Sequence, residues 1–138
     1  MSDFNDWNRK IIEEFRSSGG KVGGQFAGAP ILILTSTGAK TGQRRTTPVM
    51  YLADGERLAV FASKAGAPTN PDWYHNLVAN PRATVELGTE TFEVDAEVAD
   101  PAERDRLYGI QAERFANFAE YAEKTTRVIP VVVLKRVA

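Results

Sequence analysis

The chain has 138 residues, 43% of them apolar and 25% charged, which suits one soluble domain with its own core. A formal charge of −1 and an isoelectric point near 5.9 argue against a dedicated nucleic-acid binder. There is no cysteine and one histidine, His75, which excludes disulfides and thiolate or histidine-cluster metal sites.

No apolar run approaches the roughly 18 residues of a membrane span. Asp3, Asp6, Glu13 and Glu14 interrupt any signal-peptide pattern. The expectation is a cytoplasmic, metal-free protein. The small net charge hides an asymmetry. Between Phe15 and Ala53 there is no acid, but there are Arg16, Lys21, Lys40, Arg44 and Arg45. Acids crowd from Glu86 to Asp105 instead. A segregated basic half points to an acidic partner.

Residues 3–16 predict an amphipathic helix, with Phe4, Trp7, Ile11 and Phe15 on one side. Two readings of that face are open: it packs on the domain, or it meets a membrane surface or covers a site as a lid. The glycine-rich residues 19–28 then read as a link that lets the helix move independently. Strands follow at Ile31–Ser36 and Arg45–Leu52. Pro48 lacks an N–H, so its strand must be at an edge or bulged there. Asp54-Gly55 predicts a hairpin turn into Arg57–Ser63. Asn70 and Pro71 predict a capped helix start that runs to about Ala79.

A second hairpin spans Ala83–Leu87 and Thr91–Ala99. Asp100-Pro101 opens one long helix to about Lys124, and Val128–Lys135 is the last strand. Six strands, three helices and hairpin connections predict a single α+β domain: a small antiparallel barrel with helices outside.

The turn between the first two strands, Thr35-Ser36-Thr37-Gly38-Ala39-Lys40-Thr41-Gly42-Gln43-Arg44-Arg45-Thr46, is the strongest chemical signal. Amides at Gly38 and Gly42 can approach an oxyanion, while Lys40 and the arginines add charge. A solvated basic hairpin tip is the bland alternative. A nucleotide P-loop does not fit, because Ala39 and Leu34 stand where it needs glycines. No nucleophile–base pair is visible. The chain's own residues offer little chemistry, so an enzyme here would rely on a bound cofactor.

Four blocks carry a resemblance covering about Asn8 to Leu134. They are Gly23-Gly24 with Gly28-Ala29-Pro30; Leu34 to Pro48; Ala62 to Pro68 with Asn70 to Leu77 and Ala79-Asn80-Pro81; and Thr125 to Val132. In these the chain resembles the deazaflavin-dependent nitroreductase and quinone reductase family, split β-barrel oxidoreductases that use coenzyme F420.

The resemblance implies a deazaflavin ring with a phosphodiester and polyglutamate tail, and no metal. It implies Lys40, Thr41, Arg45 and Lys64 at the phosphate and glutamates, with Arg44 a weaker candidate because strand neighbours face opposite ways. Thr47, Pro48, Met50, Ala62, Ser63, Gly66, Trp73 and Asn76 would line or support the ring and linker. Phe15, Phe115, Phe118 and Tyr121 would meet the acceptor, and Tyr121 or Ser63 would supply a proton.

Since Phe115 and Phe118 stand where nitroimidazole-reducing members have tyrosines, quinones and conjugated enones or unsaturated lactones are expected to be better acceptors than nitro compounds. The two phenylalanines being plain core is the alternative. The rival functions are an FMN-binding barrel, a non-catalytic coenzyme carrier, and a single-stranded nucleic-acid binder. The partner expected is a small-molecule electron acceptor, with a peripheral membrane contact through the first helix left open.

Overall fold

The structure is a computed structural model. It describes residues 3–20, 30–63 and 69–137, with side chains from residue 9 onward. Lys64, Gly66 and most of the glycine-rich link therefore lie outside the described residues.

Six antiparallel strands close into a barrel. Around it run β1 (Ile31–Thr37), β2 (Arg44–Asp54), β3 (Arg57–Phe61), β6 (Val131–Arg136), β5 (Glu90–Val98) and β4 (Arg82–Leu87), which pairs back to β1. The helices are α1 (Asp3–Ser17), α2 (Asp72–Ala79), α3 (Pro101–Arg114) and α4 (Ala116–Lys124). The barrel and its six strands are as expected.

Alternation along the strands builds two environments. Leu32, Leu34, Val60, Val85, Val94, Val132 and Leu134 fill the interior, and Trp73 and Leu77 of α2 plug it. On the outer face, Leu52, Ala59, Phe61, Val131 and Val133 pack under Leu107 and Tyr108 of α3 and Phe118 of α4. Ile31 and Ile33 pack outward under Ile11 and Phe15 of α1.

Three expectations change. The predicted long helix is two helices, broken at Phe115, whose backbone is extended (φ −133, ψ 102). The Tyr108 and Phe118 rings lie 6.3 Å apart, and the Tyr108 hydroxyl donates to the Phe118 carbonyl at 2.6 Å. Ten residues of straight helix would separate them by about 15 Å. The break lets α4 fold back, so that Phe118 also reaches Phe61 at 5.6 Å.

The predicted cap at Asn70 also fails. Pro71 occupies the cap position with no side-chain bond, and Asn70 Oδ1 instead accepts from Arg127 Nη1 at 2.7 Å. Asp100 does cap α3 as expected, accepting from Glu103 N at 2.9 Å.

Nor is α1 independent of the body. Phe15 is 1% exposed against the barrel, and Arg16 makes a bidentate bond to Glu86 of β4 at 2.9 and 2.8 Å. Gly20 lies against the Gly88 turn so tightly that a Cβ there would sit 2.5 Å from the Gly88 Cα. Ile11 and Phe15 thus face the barrel and not a membrane. Among the described residues no helix is long and apolar enough to cross one.

Pro48 shows where the barrel is split. From Arg44 to Met50, β2 pairs with β1 alone; its pairing with β3 begins at Tyr51. Along that stretch β2 has an open side, where a residue without an N–H is tolerated.

Candidate functional site

Position in the site begins with the β1–β2 turn at one end of the barrel. Gly38 N donates to the Gln43 carbonyl at 2.7 Å, and Gly42 N donates to the Gly38 carbonyl at 3.0 Å. These amides close the turn on itself, so the expectation that they receive an anion is corrected. A Cβ at Gly38 would lie 3.0 Å from Thr41 Oγ1, and Gly42 has φ +71. The glycines therefore serve the tightness of the turn.

Its shape is fixed from beneath by α2. Buried Asn76 accepts from Ala39 N at 2.9 Å through Oδ1 and donates from Nδ2 to Ser36 Oγ at 3.3 Å. Asn80 Nδ2 donates to the Thr37 carbonyl at 3.4 Å. Asn76, expected to line or support the ring and linker, lies under the turn. What the turn displays outward is side chains: Lys40, Thr41, Arg44 and Arg45 are all exposed. Thr41 Oγ1 accepts from Gln43 N at 3.3 Å, which leaves its proton for a further acceptor.

The β1–β2 register sorts the candidates onto two faces. Thr47 pairs with Leu34, and Arg45 with Ser36, on the interior side, so Arg45 stands on the barrel rim. Pro48 pairs with Ile33, and Met50 with Ile31, on the outer side. Arg44 and Thr46 share that outer side. Arg44 Nη2 donates to Thr84 Oγ1 at 2.9 Å, and the Thr35 and Thr46 hydroxyls bond at 3.1 Å. Ala62 and Trp73 belong to the interior, at 0% and 7% exposure, away from the outer face. Ser63, beyond the end of β3, is buried, and its carbonyl accepts from Arg127.

Met50 packs against both helical layers, the α1 group and the α3–α4 group. The outer face around Pro48 and Met50 is therefore flanked by Phe15 on one side and the α4 aromatics on the other. Phe15 and Phe118 are nearly closed off, at 1% and 4% exposure, which favours the core reading for both. Phe115 and Tyr121 are half-buried, and each ring contacts Phe118, at 6.5 and 5.4 Å. Tyr121 Oη accepts from Asn117 Nδ2 at 3.0 Å, which leaves the phenol proton for donation. Burial pushes the Tyr108 hydroxyl above its ordinary value and keeps it neutral.

Arg127 is a residue that composition and spacing give no reason to single out. Its Nη2 donates to the Ala62 carbonyl at 3.0 Å and the Ser63 carbonyl at 2.9 Å, while Nη1 reaches Asn70. One guanidinium thus ties the end of β3 to the start of α2 and the approach to β6. Burial lowers its affinity for the proton, with the Tyr108 interaction opposing. A concavity of about 470 Å³ lies at the opposite end of the barrel, beside Gly20, Pro30, Tyr51 and Gly88. It shares none of the turn's residues.

These residues fit a ligand with a flat body and an acidic tail. An apolar strip ends at exposed cations, and the buried amide of Gln111 beside the flanking aromatics has no partner. The family model described as F420H(2)-dependent quinone reductase matches residues 7–136. An F420H(2)-dependent quinone reductase of Mycobacterium tuberculosis H37Rv is 44% identical over 126 residues, covering 88% of this chain and 85% of its own. A solved F420-H2 dependent reductase superposes with TM-score 0.70 at 36% identity, over 77% of this chain and 94% of its own. The heme storage protein HutZ from Vibrio cholerae shares the fold alone, at 17% identity and TM-score 0.61 over 92% of this chain and 88% of its own.

Proposed function

The chain belongs to the F420H(2)-dependent quinone reductase family, with coenzyme F420 as its cofactor, and from that membership we propose that it reduces a quinone at the outer face of β2. Conjugated enones and unsaturated lactones are the second acceptor class, and nitro compounds the poorest. The observation that carries this reading is the exposed cationic turn at the end of an apolar strip on one strand face.

Lys40 and Arg45 hold the phosphate and glutamates of the tail; Arg44, on the ring side of β2, is placed to hold the linker. Charge-assisted contacts of this kind are worth about 1.5–3 kcal/mol where water is excluded and less on an exposed rim. Pro48 and Met50 form the floor under the ring. The reduced coenzyme supplies a hydride. Phe115 and the Tyr121 ring offer flat apolar surface to the acceptor, and the Tyr121 hydroxyl holds a proton that an acceptor oxygen can take. Phe118, enclosed by four aromatic rings, positions Tyr121.

The test is oxidation of the reduced coenzyme with a naphthoquinone, a cyclic enone and a nitroimidazole in parallel, with FMN titrated as a control. Quinone turnover above the other two is expected. Faster nitroimidazole reduction would overturn the acceptor assignment. Micromolar FMN binding without coenzyme binding would defeat the whole reading, and tight coenzyme binding with no turnover would make the protein a carrier.

A further inference from the structure

Gln111 is fully enclosed at 0% exposure, and neither its Oε1 nor its Nε2 has a hydrogen-bond partner. Among the described residues it is the one buried side chain left in this state. Burying an unpartnered amide is unfavourable, by about 1–3 kcal/mol for each unsatisfied group. A leucine or methionine at the same place would avoid that, so the amide answers to something other than packing.

Its place in the fold says what. Gln111 lies on the inward stripe of α3, one turn after Leu107 and Tyr108 and one turn before Phe115. Phe118 contacts the rings of both Tyr108 and Phe115. Gln111 thus sits at the edge of the aromatic cluster that flanks Met50. The cluster reaches the surface at Phe115 and Tyr121, which are half-buried. Phe115 is also the break between α3 and α4, where Gln111 O accepts the closing bond from Phe115 N at 2.9 Å. The backbone of Gln111 thus bonds directly to the one non-helical residue of the α3–α4 segment.

We propose that Gln111 is the polar contact that selects a carbonyl acceptor, its Nε2 donating to one oxygen of a quinone that enters between Phe115 and Tyr121. The proposal rests on the quinone-reductase reading above. A quinone takes up one hydride and one proton to become a hydroquinone, while the reduced coenzyme becomes oxidised. The oxygen whose ring system accepts the hydride gains negative charge, and an amide N–H directed at it in a dry cluster favours that charge. A second N–H and Oε1 remain to bond the hydroxyl of the product. An amide can do this without titrating, so the contact does not vary with pH.

The discriminating experiment uses Gln111→Met and Gln111→Leu, both close in volume, with three readouts on each. Ligand-free Tm should rise by about 3–6 °C, because an unsatisfied amide has gone. Coenzyme Kd, read by deazaflavin fluorescence, should stay within twofold. KM for a naphthoquinone should rise about tenfold, and the binding of that quinone to the coenzyme-free protein, read by tryptophan quenching, should weaken in parallel. Gln111→Asn, whose amide is one methylene short, should not restore KM.

An unchanged quinone KM and quenching constant would overturn the inference. So would a fall in Tm with unchanged kinetics, which would mean that a buried water satisfies the amide. If the wild-type protein reduces no quinone at all, the functional reading fails instead, and the two failures are distinct.

Discussion

Two regions of the barrel, the Asp54 corner and the β1–β2 turn, treat charge differently. At the end away from the turn, arginines meet carboxylates. Asp54 receives Arg57 at 2.5 Å and Arg106 at 3.0 Å, and Glu103 closes the group by pairing with Arg57. Arg136 pairs with Glu90 at 3.1 Å on the neighbouring strands, and Arg16 pairs with Glu86. At the turn end Arg82 of β4 pairs with Asp95 at 2.7 Å, but Lys40, Arg44 and Arg45 of the turn and β2 have no carboxylate partner among the described residues, and Arg44 bonds a threonine hydroxyl. Ion pairs at the first end fasten α1 and α3 to the barrel. The three cations of the turn and β2 stay unmatched among the described residues, and the proposed function assigns them the acidic tail of the coenzyme. Charge that is already matched serves the fold, and charge held open in one place marks a binding end.

The largest expected effect comes from reversing the open end. Lys40→Glu combined with Arg45→Glu should raise the coenzyme Kd by more than about a hundredfold at low salt, since each attractive contact of roughly 1–1.5 kcal/mol becomes repulsive. Tm should move by no more than about 2 °C. A normal Kd in a fluorescence titration would show that the open cations are merely solvated.

Next is the support under the turn. Asn76→Ala takes the partner from the part-buried Ala39 amide and from the buried Ser36 hydroxyl, at about 1–3 kcal/mol. The thermal midpoint should fall by roughly 4–8 °C, and coenzyme affinity should fall severalfold as the turn loses its shape. Loss of stability with unchanged affinity would detach the turn's shape from binding.

The paired end should respond in stability alone. The bonds from Arg106 and then Arg57 hold the Asp54 carboxyl below its ordinary value. A depressed folded value gives stability that is full above the unfolded value of about 3.9 and is lost as pH falls through the folded value. Asp54→Asn should therefore lower Tm by a few degrees at neutral pH. The gap to wild type should close in acid, as pH falls through the depressed folded value and the Asp54 carboxyl takes up its proton, with coenzyme Kd unchanged throughout. A gap that persists in acid would mean that the carboxylate charge is not its source.

Arg16→Ala, at an exposed pair, should give the smallest change, below about 1 kcal/mol and weaker still in high salt. A collapse of folding there would show that α1 is held by this pair, and not by Phe15 and Ile11.

The strands were legible in the sequence because hairpin signals such as Asp54-Gly55 bound short apolar runs, and the acid-free stretch contains the three cations left unmatched at the turn. Other features were hidden for identifiable reasons. From Thr46 to Met50 both faces of β2 are half-covered, so no alternation in polarity tells Thr47 from Pro48. The break at Phe115 is silent because an aromatic at helical spacing fits a continuous helix equally well. The amphipathic face of α1 predicts that something covers Ile11 and Phe15 but does not name Ile31 and Ile33. Glycines 38 and 42 suggested anion-binding amides, whereas only coordinates reveal that the turn uses those amides itself. Gln111 reads as an ordinary solvent-facing helix residue until its enclosure is seen.

The central claim is that the cationic turn end holds the acidic tail of the coenzyme while the outer face of β2 holds its ring. The direct measurement compares two ligands, intact coenzyme F420 and its deazaflavin chromophore without phosphate or glutamates, on wild type and on Lys40→Ala with Arg45→Ala. The account predicts that the substitutions raise the Kd of the intact coenzyme roughly 30- to 150-fold at low salt and leave the Kd of the tailless chromophore within about twofold. An equal loss for both ligands, or for neither, would contradict it.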